Sequence, residues 1–301
     1  MVTCSINNVL LSVMAAYTFM ILNILLVKFY RPLNNLLLHG KTISNKTIND
    51  GAKSSNSLLR QLVDFIVTLT VPKSWFTHYY IVFTVSCCLI QLFPWYGTYQ
   101  PEVDTVDTVT YKNYKFIHVM MSIQAIRRTI ESFTITKFSS NSRMNFTHYI
   151  VGLAHYILIS INCYGSLVPF SQSSITPKTG INGITVIDII LFTVFLLASI
   201  DQFLNHYHLS TLKKYTIPSK FKYVSSPHYL DEIIIYVLFF ISSIKNITRF
   251  SSISIIHLNY LLSTVFVVVN LSISSIDNYK WYKLKFKDEF RLKWSIIPGL
   301  I

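Results

Sequence analysis

Most of the chemistry-bearing residues of this chain stand where a polar segment enters or leaves an apolar one. The richest run is Phe221-Lys222-Tyr223-Val224-Ser225-Ser226-Pro227-His228-Tyr229-Leu230-Asp231-Glu232. It sets Tyr223, His228, Tyr229 and Glu232 at the mouth of an apolar helix, where a carboxylate is expensive without a partner or a task. Asp201, Gln202, Asn205, His206, Tyr207 and His208 close an earlier apolar stretch, with Lys213 and Lys214 just beyond. Arg128 and Glu131 are three residues apart and share a helix face. With Arg127 they form either a structural ion pair or a fork that grips phosphate. His148-Tyr149 and His155-Tyr156 lie seven residues apart on one helical face, a spacing that suits interhelical hydrogen bonds or a substrate channel. His78, Tyr79 and Tyr80 open another apolar run. There Trp75 and Tyr80 read as membrane-interface anchors, whereas His78 brings a titratable ring. Trp281 and Tyr282 stand among Lys280, Lys283, Lys285 and Lys287, the pattern of a basic helix on a membrane surface.

The elements that must position these groups are membrane helices. Seven apolar stretches, 9–29, 76–93, 114–133, 146–168, 184–204, 230–247 and 255–276, approach the ~20 residues that cross a hydrocarbon core. The third is the most polar, holding His118 and Gln124 and ending in Arg127-Arg128. The expected fold is an all-α, multi-spanning membrane helix bundle of about seven transmembrane helices, a single domain over 1–301. Residues 1–70 supply one span plus a mobile loop, and 71–301 the core. The first apolar block has no basic n-region or small-residue cleavage site, so it is expected to be a retained helix.

Composition agrees. Of 301 residues, 51% are hydrophobic and 13% charged, against about 25% charged in a soluble domain. The net charge of +13 resides in loops rather than on a basic polar helix, which points to an anionic membrane leaflet and away from nucleic acid. The segments after the first, third and fifth stretches and the tail are basic, and 94–113 is acidic, so the C-terminus is expected in the cytosol. The segment 40–57, rich in Ser, Asn, Thr and Lys, reads as a mobile cytosolic loop that places the sequon at Asn45 on the wrong side for glycosylation. No Rossmann or Walker glycine loop occurs. The four cysteines show no C-x-x-C spacing, and the imidazoles of His206 and His208 leave a helix on different faces, so no metal is expected.

Several of these clusters resemble one family. Phe221-x-Tyr223-Val224-Ser225-Ser226-Pro227-His228-Tyr229-x-x-Glu232 is similar to the signature of polyprenol reductases, within the steroid 5-alpha-reductase superfamily. Val71-Pro72-Lys73-Ser74-Trp75-Phe76-Thr77-His78-Tyr79-Tyr80 resembles their V-P-K-x-[WY]-F-x-H-F-Y entrance, and Arg127-Arg128-x-x-Glu131 their R-R-x-x-E. His148-Tyr149-x-x-Gly152-x-x-His155-Tyr156 resembles the helix that follows. Trp281-Tyr282-x-x-Lys285-Phe286 and Ile296-Ile297-Pro298 resemble the superfamily's C-terminal motifs. The likeness runs from about 71 to 301.

The resemblance implies a seven-helix reductase of the endoplasmic reticulum membrane, with NADPH in the cytosolic half and a polyisoprenoid lipid as substrate. By position it assigns Arg128, Gln202, His206, Lys213, Tyr223, His228, Glu232 and Tyr282 to the cofactor. It implies reduction of the alpha-isoprene double bond of polyprenal in dolichol synthesis for protein N-glycosylation, by hydride addition to the beta carbon of an unsaturated carbonyl. His78 and Tyr79, supported by Glu131, are the expected donors to the carbonyl oxygen. This chain departs from the superfamily in three places: His206 stands where an Asp is usual, His228 where an Asn is, and Asn278 where a His is. The carbonyl-binding Tyr of steroid reductases falls on Ala125. Steroid or enoyl-CoA reduction is the alternative activity, although the ubiquitin-like domain of enoyl-CoA reductases has no room ahead of the first span. A transporter or assembly factor is the alternative class.

Overall fold

The computed structural model describes residues 6–29, 61, 65–92, 108–171, 184–212, 216–217 and 221–299. Lys213, the segment 40–57 and most of the acidic loop from 94 lie outside the described residues. Among the described residues seven long helices run in chain order: α1 (Ile6–Phe29), α2 (Phe76–Leu92), α3 (Thr108–Thr134), α4 (Phe146–Ser171), α5 (Val186–Thr211), α6 (Pro227–Ile244) and α7 (Ile255–Phe286). Six of them are long and apolar enough to cross a membrane; α3 is not. The protein is thus a multi-spanning helical bundle, with α3 as its polar member. Two three-residue strands, β1 (Thr70–Pro72) and β2 (Arg143–Asn145), pair antiparallel ahead of α2 and α4.

Local sequence sets the helix starts. Asn145 Oδ1 accepts the backbone N–H of Thr147 at 2.9 Å, and the Asn145 amide donates to Ile66 O at 2.8 Å, so one side chain caps α4 and fastens it to the segment before β1. Thr185 and Asp188 form a capping box on α5. Pro227 occupies the first turn of α6, where its missing N–H goes unneeded.

The bundle is apolar on its outside. Phe19, Leu22 and Phe29 on α1, and Ile187, Ile189 and Leu197 on α5, are exposed as lipid-facing residues must be. In lipid, packing and interhelical hydrogen bonds replace the hydrophobic effect between helices. Tyr17, fully buried on α1, lies 3.3 Å from His155 Nδ1 on α4, and His155 Nε2 lies 2.9 Å from the Tyr236 hydroxyl on α6. Asn259 on α7 donates to Leu10 O at 3.1 Å. Lys28 pairs with Asp277 at 2.8 Å, joining α1 to α7, and Lys245 after α6 pairs with Asp188 on α5.

Helix α3 starts at Thr108, six residues ahead of its expected stretch, and α5 and α7 run well past the expected ends of theirs. Helix α5 runs on to Thr211 because its polar residues Gln202, Asn205 and His206 turn into the bundle rather than ending it. Helix α7 continues to Phe286, so Trp281 and Tyr282 belong to the same helix as the last apolar stretch and not to a separate surface helix. Beyond it the chain returns as a backbone strap. Ser225 N–H donates to Trp294 O and Ser226 N–H to Ser295 O, both at 3.1 Å, and Ser275 Oγ donates to Ser295 O at 2.8 Å.

Candidate functional site

The polar clusters converge because the helices alternate in direction. The starts of α2, α4 and α6 and the later parts of α3, α5 and α7 meet at one end of the bundle. There they line an inner chamber of about 170 Å³, whose wall includes Tyr79, Tyr80, Arg128, His155, Gln202, His206, His228, Glu232 and Tyr236. An outer chamber of about 620 Å³ shares Phe76, Tyr80, Arg128, His206, His228 and Tyr229 with it and adds Lys73, Lys137, Ser139, Ser210, Thr216 and Tyr282. The two chambers thus adjoin across a shared wall, the inner one rich in aromatic rings and holding Glu232, the outer one adding lysines and hydroxyls.

Glu131 is the buried anchor of the wall, 1% exposed. It pairs with Arg127, takes a hydrogen bond from Arg128 Nη1 at 2.5 Å, and lies 2.8 Å from His206 Nδ1. Leaving such a buried group without its partner destabilises by roughly 3–5 kcal/mol, so Glu131 fixes geometry whatever else it does. Arg128 Nη2 donates to the Tyr80 hydroxyl oxygen at 2.5 Å, with its guanidinium carbon 4.5 Å from that ring's centroid. Because the phenol oxygen accepts from a cation, its own O–H is a stronger donor to anything in the chamber. Glu232 Oε2 accepts from Gln124 Nε2 at 3.1 Å and Gln202 Nε2 at 2.5 Å.

The expected site residues divide accordingly. Tyr79, Arg128, Gln202, His206, His228 and Glu232 line the inner chamber, Tyr282 lines the outer one, and Glu131 stands behind the wall. His78 lines neither; its Nδ1 lies 3.1 Å from the Tyr149 hydroxyl and its ring lies against Trp75. Tyr79 is stacked on Tyr149, and its hydroxyl donates to His148 O at 3.4 Å. Tyr223 is 72% exposed and lines neither chamber. Lys213 lies outside the described residues. Tyr80 reads from sequence as an interface anchor, yet its hydroxyl faces Arg128. Gln124 and Tyr236 are also absent from the expected set. Their signal is periodicity: Gln124, Arg127, Arg128 and Glu131 fall at i, i+3, i+4 and i+7, and Tyr236 follows Glu232 by four.

A bundle with an apolar outside and a set of buried polar and charged side chains around two chambers at one end is the architecture of a membrane protein with a functional site inside it. Residues 182–301 match the family described as 3-oxo-5-alpha-steroid 4-dehydrogenase. The chain is 28% identical to polyprenal reductase of Saccharomyces cerevisiae over 89% of its own length and 87% of that protein's. It is 25% identical to polyprenal reductase 1 of Oryza sativa subsp. indica over 87% of each chain, and 25% identical to the human polyprenal reductase over 76% of this chain and 78% of that one. The resemblance to polyprenal reductases, within the steroid 5-alpha-reductase superfamily, thus holds along nearly the whole chain.

Proposed function

We propose that this protein is an NADPH-dependent polyprenal reductase that saturates the alpha-isoprene double bond of a long isoprenoid aldehyde. The observation that carries the reading is the pair of adjoining chambers. The outer one offers Lys73, Lys137, Arg128, Ser139, Ser210 and Thr216, a set that fits phosphate groups. The inner one offers aromatic rings and the Glu232 carboxylate, a set that fits a flat ring bearing an amide. These residues fit a nicotinamide dinucleotide phosphate without a glycine-rich loop. NADPH bound there supplies a hydride. Arg128, His206 and the lysines would hold its charge, and Glu232 would accept from its carboxamide.

An isolated alkene does not accept hydride under mild conditions, so the substrate carbon must be conjugated to a carbonyl. As the beta carbon is reduced, negative charge gathers on the carbonyl oxygen. Tyr80, with Arg128 on its phenol oxygen, is the donor best placed to meet that charge, the largest kind of contribution in such reactions. Tyr79 then forms the wall beside it, with His78 acting on that wall through Tyr149. Position 125 is a buried alanine and so offers no hydroxyl to a steroid carbonyl. The apolar exterior allows the lipid tail to stay in the bilayer while its head enters the chamber. The saturated product serves dolichol synthesis for N-glycosylation, which sets the protein in the endoplasmic reticulum membrane with its basic C-terminus in the cytosol.

The test is incubation of the purified protein in nanodiscs with polyprenal and NADPH deuterated at the transferable position, followed by mass spectrometry. The expected product carries one deuterium on the beta carbon. Recovery of unreacted polyprenal, or of label on the carbonyl carbon as an allylic alcohol, would overturn the proposal.

A further inference from the structure

The paired arginines divide their work. Arg128 lines both chambers, whereas Arg127 lines neither. Arg127 is only 16% exposed in its side chain, and its fork is turned backward: one end meets Glu131, and Nη2 donates to Gln124 Oε1 at 2.7 Å and also to Gln202 Oε1. Both glutamines are buried, 1% exposed each. Their donors then have fixed destinations. Gln124 Nε2 reaches Gln202 Oε1 at 3.3 Å and Glu232 Oε2 at 3.1 Å; Gln202 Nε2 reaches His228 O at 3.1 Å and Glu232 Oε2 at 2.5 Å. Every hydrogen of both amides is used, and each amide oxygen faces Arg127. Turning either amide over would set its oxygen against the Glu232 carboxylate and its N–H groups against a guanidinium.

We infer that Arg127 is a positioning residue for the reducing end of the cofactor, acting through the amides of Gln124 and Gln202 on Glu232. With Oε2 held by two donors, the carboxylate cannot rotate. Among the described residues Oε1 takes no hydrogen bond, and Glu232 lines the inner chamber. The consequence is one fixed acceptor for a primary carboxamide N–H. The inference rests on the reading of this chamber as a nicotinamide site, and it adds that discrimination in favour of the carboxamide originates partly in a residue that never touches the ligand.

The readout is the ratio of two dissociation constants, for NADPH and for its reduced 3-acetylpyridine analogue. The analogue carries a methyl ketone in place of the carboxamide and has no N–H to donate. Loss of a hydrogen bond to a charged acceptor weakens binding by about tenfold or more, so the wild-type protein is expected to prefer NADPH by that factor. Glu232→Gln is expected to abolish the preference. Arg127→Met is expected to bring it close to one, and Arg127→Lys, which keeps the charge but loses the fork, to lower it part-way. Gln124→Leu removes one clamp without removing charge and serves where Arg127→Met does not fold. A purely structural role for Arg127 would weaken both ligands equally. An unchanged ratio in folded Arg127 and Gln124 variants, alongside its loss in Glu232→Gln, would overturn the inference. Retention of the ratio in Glu232→Gln would instead overturn the placement of the nicotinamide.

Discussion

Gly152 offers the most direct test of how the chamber gets its shape. A Cβ at this position would lie 2.6 Å from Tyr79 Cζ, 2.8 Å from Cε2 and 2.9 Å from the hydroxyl oxygen. Carbon atoms settle at about 3.5–4.0 Å, so in Gly152→Ala the Tyr79 ring must retreat by about 1 Å. Phe76 braces that ring at 5.1 Å between centroids and Tyr149 is stacked on it at 5.6 Å. The open side is the inner chamber of about 170 Å³, which both Tyr79 and Gly152 line. Overpacking of this kind destabilises by about 1–3 kcal/mol, which a thermal unfolding curve in nanodiscs will register. The effect on turnover is larger, because a 1 Å misplacement of reacting groups costs about 10²-fold. The expected result is a loss of that order in kcat/KM for polyprenal, with a smaller change in NADPH affinity, since neither residue lines the outer chamber. Adding Tyr79→Leu, which removes the atoms in conflict, should return part of the lost efficiency. Folded Gly152→Ala protein that reduces polyprenal at the wild-type rate would refute the reasoning, as would an equal loss in NADPH binding.

Three further outcomes are expected. Tyr80→Phe should lower kcat by about 10²–10³-fold with little change in KM, as measured by single-turnover oxidation of the reduced nicotinamide, because it deletes a donor needed mainly when charge develops. Replacing Lys73 and Lys137 together by Ala should raise the KM for NADPH more than that for NADH. Because salt screens exposed charges over about 8 Å at physiological ionic strength, the contrast should shrink as salt is raised. Tyr17→Phe should destabilise the bundle by about 1–3 kcal/mol, since it takes away the hydroxyl beside His155 Nδ1; the folded fraction should retain its activity, a point that unfolding and turnover measured on the same sample will check.

Helix positions were legible because lipid demands long unbroken apolar runs: α2 and α4 begin at Phe76 and Phe146 where hydropathy starts them. The ends were less legible. Gln202, Asn205 and His206 look like a solvated tip to a hydropathy reading, but inside a bundle their partners are Glu232, Asp231 and Glu131, so α5 continues through them. The site was legible as a set of motifs and less so in its wiring. His78 and Tyr80 are two residues apart and point to different neighbours, Tyr149 and Arg128, a difference fixed by helix rotation that linear spacing does not carry. Arg127 and Arg128 are adjacent in sequence, yet only the packing of α5 and α6 against α3 decides which one meets the chamber.

The tail strap bears on how lesions in this protein should be interpreted. Among the described residues Tyr282 is the last to line either chamber, so a stop codon just ahead of Trp294 would leave each of those wall residues encoded. It would still strip the backbone acceptors from Ser225 and Ser226, the two residues that introduce Pro227 and His228. If the chambers hold NADPH as proposed, such an allele should look like a failure to retain cofactor, although none of the described wall residues has changed.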